Sequence, residues 1–295
     1  MVLNKDYKVS NFYTFKNYFL CNMPRESFKE FKQIIQGTKL EKRKKKKDWW
    51  HWIYTSLSRY ITWILVKTPI TANFITITGT LIGLIGLLLI AITNKFLIIV
   101  GFILVYIYYL SDEVDGEVAR YKKQTSLRGI YYDEIGHLLF QGWFFFSFGY
   151  SIFRINSEFL YIFFGIIATF FLIGIRTIRK ISIIAFTKGQ VQNKIPDESE
   201  KKEITPMKKT FIKRMKNISI NLVNAFSHTH IITTMFLIGF LLYIYFNMAM
   251  IIELLMMFYV VFLLFVFSTF MVLKAKSIDK DALKHYKKKF MKEKE

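Results

Sequence analysis

The chain has 295 residues, of which 53% are hydrophobic and 18% aromatic, and its apolar residues gather in long runs. This clustering argues against an ordinary soluble core and favours membrane spans. The net charge of +21 fits nucleic-acid binding or basic loops beside an anionic leaflet, and the apolar runs favour the loops. A single cysteine, Cys21, excludes an internal disulfide, and no Cys/His cluster has zinc-site spacing.

The N-terminal part of the chain is polar, basic and aromatic. Residues 1–47 contain a run of lysines and are predicted to form a basic cytoplasmic extension, whose lysines attract anionic headgroups. Within it, residues 27–35 (SFKEFKQII) are predicted to form a short helix. Residues 48–67 hold four of the five tryptophans, mixed with Thr, Ser and Arg59. This mixture predicts a juxtamembrane helix lying in the interface, with the start of a first span as the alternative.

Six apolar segments follow this helix, which the Thr68-Pro69 pair ends. The predicted spans cover about residues 72–93, 96–111, 129–152, 159–175, 231–245 and 251–273. The second continues as a helix through Arg120, and the fifth is expected to begin near Phe226. Glycines on or near one face of the first span predict close helix packing. These are Gly79, Gly83 and Gly86.

The predicted fold is therefore an all-α integral membrane protein with six transmembrane helices preceded by an interfacial amphipathic helix. The six helices make up a domain at residues 68–273, which includes a polar linker at 188–216. A charged cytoplasmic tail at residues 274–295 follows. An even number of spans puts both termini on one side of the membrane.

The basic residues indicate which side that is. Of the 42 lysines and arginines, all but Lys95 and Arg154 fall in segments that the six-span prediction puts on the side of the termini. Positively charged loops stay in the cytoplasm. The termini and the candidate active site are therefore predicted to be cytoplasmic, in a protein of the cell membrane.

Acidic residues cluster just after the second predicted span. Asp112 and Asp115 are three residues apart and share one face of a helix, and Asp133 and His137 are four apart and share a face of the next. Carboxylates near a membrane are costly unless they are paired, hydrated or bound to cations. Oxygen ligands suit hard divalent metals, so the predicted ion is Mg²⁺ or Mn²⁺.

The residues around these aspartates complete a recognisable pattern. Gly116 and Ala119 are small and share the face of the aspartates, and Arg120 offers a planar fork for a phosphate oxygen. Together with Gly129 they form a pattern whose members, in chain order, are Asp112, Asp115, Gly116, Ala119, Arg120, Gly129 and Asp133. With these spacings the chain resembles the CDP-alcohol phosphotransferase family of integral membrane enzymes. At the last motif position it has His137, where the family has an aspartate.

The resemblance implies an enzyme that moves a phosphoryl-alcohol group from a CDP-linked donor to an alcohol or lipid acceptor, releasing CMP. It implies metal binding by Asp112, Asp115, Asp133 and His137, and if the site holds two metals the ions would lie about 3.5–4 Å apart. It also implies a nucleotide site that includes Asp112, Gly116, Ala119, Arg120 and Gly129. A role in phospholipid synthesis is favoured, with anionic bilayer lipids around the protein. A homodimer is implied by the resemblance alone, and no nucleic acid is expected as a partner.

His137 leaves alternatives open. A neutral imidazole accepts a proton near pH 7, as the family's aspartate is thought to do, and its nitrogen ligates Mn²⁺ better than Mg²⁺. Asp133 and His137 are accordingly the candidate catalytic pair. A packed histidine in a weakened or repurposed enzyme is the alternative, and Glu134 is a nearby carboxylate on a different helix face.

Other functions and further candidate residues are compatible with the sequence. Transfer of a phospho-polyol in surface glycan synthesis and a non-catalytic relative remain alternatives, whereas a transporter fits less well because the carboxylates cluster at one end. Thr71, Asn73 and Thr76 are candidates to face the nucleotide, although helix capping explains Thr71 equally well. Arg176 and Arg179 are either acceptor-phosphate ligands or membrane anchors. His228 and His230 are two apart, which argues against a joint metal site.

Overall fold

The computed structural model describes residues 27–36, 49–191 and 228–290, and every regular element within them is a helix. In chain order these are α1 (Phe28–Gln36), α2 (Trp49–Leu65), α3 (Ala72–Ala91), α4 (Lys95–Tyr121), α5 (Leu127–Asn156), α6 (Leu160–Val191), α7 (Thr229–Phe246) and α8 (Ala249–Phe290). The all-α prediction is confirmed. The predicted short helix at residues 27–35 is confirmed as α1.

Five of these helices are long and apolar enough to cross a membrane. They are α3, α4, α7, the Leu160–Ile178 part of α6 and the Ala249–Val272 part of α8. The chain is therefore an integral membrane protein, as predicted. Helix α5 is not among the five, because its apolar residues alternate with polar ones such as Gln141, Ser147 and Arg154. The count of six spans stays a prediction, as does the orientation in the membrane.

The chain divides into two compact units. The first contains the residues up to 89 together with 99–140, and the second contains residues 90–98 together with those from 141 onward. The sequence-based domain boundaries at 47, 67 and 273 remain predictions beside this division. Cys21, the lysine run at 42–47, most of the linker at 188–216 and Phe226 lie outside the described residues.

In the first unit, glycines bring α3 and α4 close together. A Cβ placed on Gly79 would lie 1.9 Å from Ser111 Oγ, and one on Gly86 would lie 2.7 Å from the carbonyl oxygen of Gly101. No larger residue fits at either position without a shift of the neighbouring helix. The predicted close packing is confirmed, and it places the acidic half of α4 beside the start of α3.

Helix α2 buries several hydroxyl side chains, while some of its large apolar side chains are exposed. Thr55, Ser58 and Thr62 are buried, whereas Leu57 and Tyr60 are exposed. The mixture of polar and aromatic residues predicted an interfacial helix, and part of its polar content consists of hydroxyl groups that face the protein interior. The helix is nevertheless amphipathic, and its place in the membrane interface stays a prediction.

Helix α1 is capped at its start and packed into the first unit along one side. Ser27 Oγ accepts a hydrogen bond from the Glu30 amide at 3.3 Å, and the Ser27 amide donates to Glu30 Oε2 at 2.8 Å, which is a capping box. Phe31 and Ile35, one turn apart, are fully buried in a cluster that includes residues of α3 and α4. The exposed neighbour Ile34 shows that only one face of α1 is docked.

This packing predicts the effect of shortening one isoleucine. Ile35→Ala is expected to remove about 2–5 kcal/mol of packing free energy and release α1. Faster hydrogen–deuterium exchange of the α1 amides in the full-length protein would report the release. Ile34→Ala removes the same atoms from a side chain that is 43% exposed, and exchange there should match the wild type. Unchanged protection in Ile35→Ala would contradict the docking of α1.

The second unit is packed through glycines and aromatic rings. A Cβ on Gly149 would lie 2.3 Å from the carbonyl oxygen of Tyr161, so α5 and α6 touch backbone to backbone there. Phe148 and Phe236 stack with ring centroids 4.3 Å apart and nearly parallel planes. Helix α8 packs along α6 and α7. The residues that line the candidate site belong to the other unit.

Candidate active site

A tight turn connects the two helices that carry the acidic residues. At the end of α4, Lys123 adopts a left-handed conformation with a φ of 54°, and the Gln124 amide donates to the Ala119 carbonyl at 2.9 Å. This pairing is typical of a Schellman C-cap. Ser126 Oγ then accepts from the Gly129 amide at 3.1 Å and caps α5. The turn brings the start of α5 back beside the end of α4.

Asp112, Asp133 and His137 meet at one point as a result. One ligand atom from each lies within 4.8 Å of the other two. His137 Nε2 is 3.2 Å from Asp112 Oδ1 and 3.4 Å from Asp133 Oδ1. The structure thus brings together the two helix faces that the spacing predicted, including the histidine at the last motif position.

These three residues face a cavity of about 400 Å³ in the first unit. Its lining includes four carboxylates, Asp112, Glu113, Asp115 and Asp133, against the single guanidinium of Arg120. The other lining residues are Ala72, Asn73, Thr76, Gly116, Ala119, Gln124, Thr125, Ser126, Gly129, Ile130 and His137. Such an excess of negative charge would repel an anionic ligand unless cations enter with it.

Asp115 lines the same cavity but has a different local environment. Only 8% of it is exposed, and its Oδ2 accepts a hydrogen bond from Thr76 Oγ1 at 2.5 Å. It is not one of the three residues whose ligand atoms converge within 4.8 Å. The metal-binding role of Asp115 therefore stays a prediction, and Thr76 is its observed partner on α3.

The three polar candidates at the start of α3 separate into two groups. Asn73 and Thr76 line the cavity, where they can contact a ligand. Thr71 accepts a hydrogen bond from the Phe74 amide at 3.3 Å and caps the helix. The capping interpretation of Thr71 therefore describes its observed contact.

Small residues make room for the polar groups of the cavity. A Cβ on Gly116 would lie 3.2 Å from Arg120 Nη1, and one on Gly129 would lie 3.1 Å from Asn73 Oδ1. Arg120 Nε donates to the carbonyl oxygen of Ile35 at the end of α1. The guanidinium is thus held between α1 and the cavity, next to the position that lacks a side chain.

Sequence reasoning missed a carboxylate beside the motif. Glu117 is fully buried, and its two oxygens accept hydrogen bonds from Ser58 Oγ at 3.1 Å and Thr62 Oγ1 at 2.8 Å. A buried carboxylate requires such donors. Ser58 and Thr62 are four residues apart on α2, a spacing that could have indicated a shared partner. The pair ties α2 to the helix that carries the aspartates.

A lysine fixes the connection between α2 and α3 in a similar way. Lys122 Nζ donates to the carbonyl oxygens of Thr68 and Ile70, both at 2.7 Å. Burial lowers the pKa of Lys122 below its ordinary value. The two carbonyl acceptors hold the entry to α3, and with it Asn73 and Thr76, against the end of α4.

The remaining sequence candidates are Glu134 on α5 and four basic residues of the second unit. Glu134 is a neighbour of Asp133 on α5, but it is outside the converging group. Arg176 and Arg179 lie on α6 in the second unit, so their proposed phosphate contacts stay a prediction. His228 and His230, at the start of α7, are likewise outside the converging group.

The residues present fit a divalent cation. Two carboxylate oxygens and an imidazole nitrogen converge, and further carboxylates surround them in a half-open cavity. Oxygen donors suit Mg²⁺ and Mn²⁺, and the nitrogen donor improves the fit to Mn²⁺. Asp112, Asp133 and His137 are the residues that would hold such an ion.

Comparison with known proteins agrees with the geometry. The family model described as CDP-alcohol phosphatidyltransferase matches residues 69–266, which is more than half of the chain. The match starts at the entry to α3 and ends within α8, so it includes the entire cavity lining. Helices α1 and α2 precede it. No curated protein matches the sequence.

Proposed function

The chain belongs to the CDP-alcohol phosphatidyltransferase family, and on that premise we propose that it transfers a phosphoryl-alcohol group from a CDP-linked donor to an acceptor hydroxyl. The observation that carries the proposal is the convergence of Asp112, Asp133 and His137 within 4.8 Å. They meet in a cavity that the other motif residues also line.

In the proposed reaction, the acceptor hydroxyl oxygen bonds to the phosphorus that carries the donor's alcohol. The bond from that phosphorus to the oxygen of CMP breaks, and CMP leaves with the bonding electrons. A bound divalent cation would neutralise the diphosphate charge. His137 Nε2 takes the proton of the attacking hydroxyl, because a neutral imidazole accepts protons near pH 7.

The surrounding carboxylates support this role of the histidine. Nε2 lies 3.2 Å from Asp112 Oδ1 and 3.4 Å from Asp133 Oδ1, so an imidazolium formed there is stabilised by both. The same geometry also suits His137 as a metal ligand. The two roles predict different responses to replacement of His137 by aspartate.

The nucleotide part of the donor is assigned to the α3–α4 side of the cavity. Arg120 lines the cavity with a planar guanidinium that suits phosphate oxygens, and Gly116 has no side chain next to it. Asn73, Ala119 and Gly129 line the adjacent wall. The fit of a planar guanidinium to a diphosphate supports this assignment.

We further propose a lipid donor or acceptor and a role in phospholipid synthesis, because the cavity belongs to a chain with membrane-spanning helices. The distribution of basic residues supports a cytoplasmic site in the cell membrane, beside anionic lipids. Mg²⁺ or Mn²⁺, as one or two ions, is the proposed cofactor. A homodimer is proposed from the family resemblance.

The proposal is tested by a donor-and-acceptor screen. Purified full-length protein with Mg²⁺ or Mn²⁺ should release CMP from a CDP-linked lipid when an alcohol acceptor is present. Release from CDP-polyols alone would assign the protein to surface glycan synthesis instead. Metal binding without CMP release from any donor would favour a non-catalytic relative.

A further inference from the structure

Both ring nitrogens of His137 have partners in the structure. Nε2 faces Asp112 and Asp133, and Nδ1 lies 3.0 Å from the hydroxyl oxygen of Tyr108. Tyr108 is on α4, one turn before the first motif aspartate. It is not part of the motif pattern, and it does not line the cavity. Its hydroxyl contacts the histidine from the side opposite the carboxylates.

Packing fixes the position of the Tyr108 hydroxyl. The residue is 4% exposed, and its ring stacks on Phe140 with centroids 4.1 Å apart. On the α3 side, a Cβ on Gly83 would lie 2.8 Å from Tyr108 Cγ and 3.1 Å from Phe140 Cδ2. The ring therefore occupies a slot between the two helices that only glycine at position 83 leaves open. A side chain held in this way places its hydroxyl at a fixed point.

We infer that Tyr108 is a positioning residue for His137, holding Nδ1 so that Nε2 is the nitrogen presented to the two carboxylates. The inference rests on the proposed function, because it concerns the residue proposed as base or metal ligand there. A hydroxyl suits this position because it can donate to an unprotonated Nδ1 or accept from a protonated one. The hydroxyl can therefore form a hydrogen bond with Nδ1 both when Nε2 carries a proton and when Nε2 is a metal ligand.

The alternative is that Tyr108 only fills the slot. Tyr108→Phe separates the two, because it keeps the ring against Gly83 and Phe140 and removes only the hydroxyl. Tyr109→Phe is the matched control. Tyr109 is also buried and its ring also contacts Phe140, but it points about 100° away around α4. Packing effects of losing a buried hydroxyl should appear in both variants.

The first readout is the ¹⁵N NMR signal of His137 in metal-free, full-length protein, assigned by its absence in His137→Asn. The Nδ1 resonance of the wild type should have the chemical shift of a hydrogen-bonded nitrogen, and in Tyr108→Phe it should move to the shift of a nitrogen without that bond, because the two carboxylates keep the proton on Nε2 in both proteins. The second readout is Mn²⁺ affinity by EPR titration. Loss of the hydroxyl should weaken it about tenfold, within the usual range for partners of metal-ligating histidines. Tyr109→Phe should behave as the wild type in both.

Either of two results would overturn the inference. One is a wild-type His137 Nδ1 resonance without the chemical shift of a hydrogen-bonded nitrogen, which needs no variant to be observed. The other is a Tyr108→Phe protein with unchanged Mn²⁺ affinity and an unchanged His137 signal. Neither readout uses turnover. Absence of CMP release in the wild type would count against the proposed function and leave the test of Tyr108 intact.

Discussion

Asp133→Asn is expected to lower the rate of CMP release by about 10³-fold. The substitution keeps the size of the side chain and removes its negative charge, which lies 3.4 Å from His137 Nε2 in the converging group. A metal ion contributes several kcal/mol of transition-state stabilisation, and 4 kcal/mol corresponds to about 10³-fold in rate. Initial rates with saturating donor and Mn²⁺ would measure the loss, and EPR titration should show weaker Mn²⁺ binding.

The next residue on the same helix provides the control. Glu134→Gln removes an equivalent charge one position away, from a residue that is outside both the converging group and the cavity lining. It should retain wild-type turnover and Mn²⁺ affinity. If Asp133→Asn turned over like the wild type, the assignment of Asp133 to the metal and catalytic site would be wrong. A large loss in Glu134→Gln would show that charge near α5 matters irrespective of position.

His137→Ala is expected to lower turnover by about 10²- to 10⁴-fold, the range typical of a lost general base. His137→Asp should keep more activity than the alanine variant, because a carboxylate can accept a proton and bind a cation. It also restores the aspartate of the family pattern. Wild-type turnover in His137→Ala would exclude the proposed role of the base.

The choice of metal distinguishes a base from a ligand at this position. If Nε2 binds the ion, replacing nitrogen by carboxylate oxygen should shift the preference from Mn²⁺ towards Mg²⁺, because oxygen ligands suit Mg²⁺. If His137 acts only as a base, the ratio of Mn²⁺- to Mg²⁺-supported rates should stay the same. His228→Ala, which removes an exposed histidine in the second unit, is the control and should leave that ratio unchanged.

Much of the fold followed from local patterns. The predicted spans and the observed helices agree in order, and most of their ends differ by a few residues. This agreement arises because long apolar runs form the helices and short polar segments separate them. The spacing of Asp133 and His137 predicted a shared helix face, and the two do meet Asp112. Glycines on α3 predicted a close helix contact without revealing its partners.

The sequence did not reveal the buried carboxylate of Glu117, and the reason is physical. In the sequence, Glu117 resembles an ordinary acidic surface residue. In the structure it is buried and accepts hydrogen bonds from hydroxyl groups more than 50 residues earlier in the chain. Its partners Ser58 and Thr62 lie on α2, and local composition does not show that their hydroxyl groups face a buried carboxylate. Burial depends on which helix packs where, and a periodic pattern does not contain that information.

The amino-acid sequence by itself determined the helical membrane class and the acidic motif, because helix periodicity and apolar length are properties of neighbouring residues. Only the tertiary structure decided what each motif residue touches. In the structure, Thr76 hydrogen-bonds to Asp115, the end of α1 hydrogen-bonds to Arg120, and the Tyr108 hydroxyl contacts His137. These contacts join residues 29 to 85 positions apart, so they depend on which helices pack together and not on neighbouring residues in the sequence.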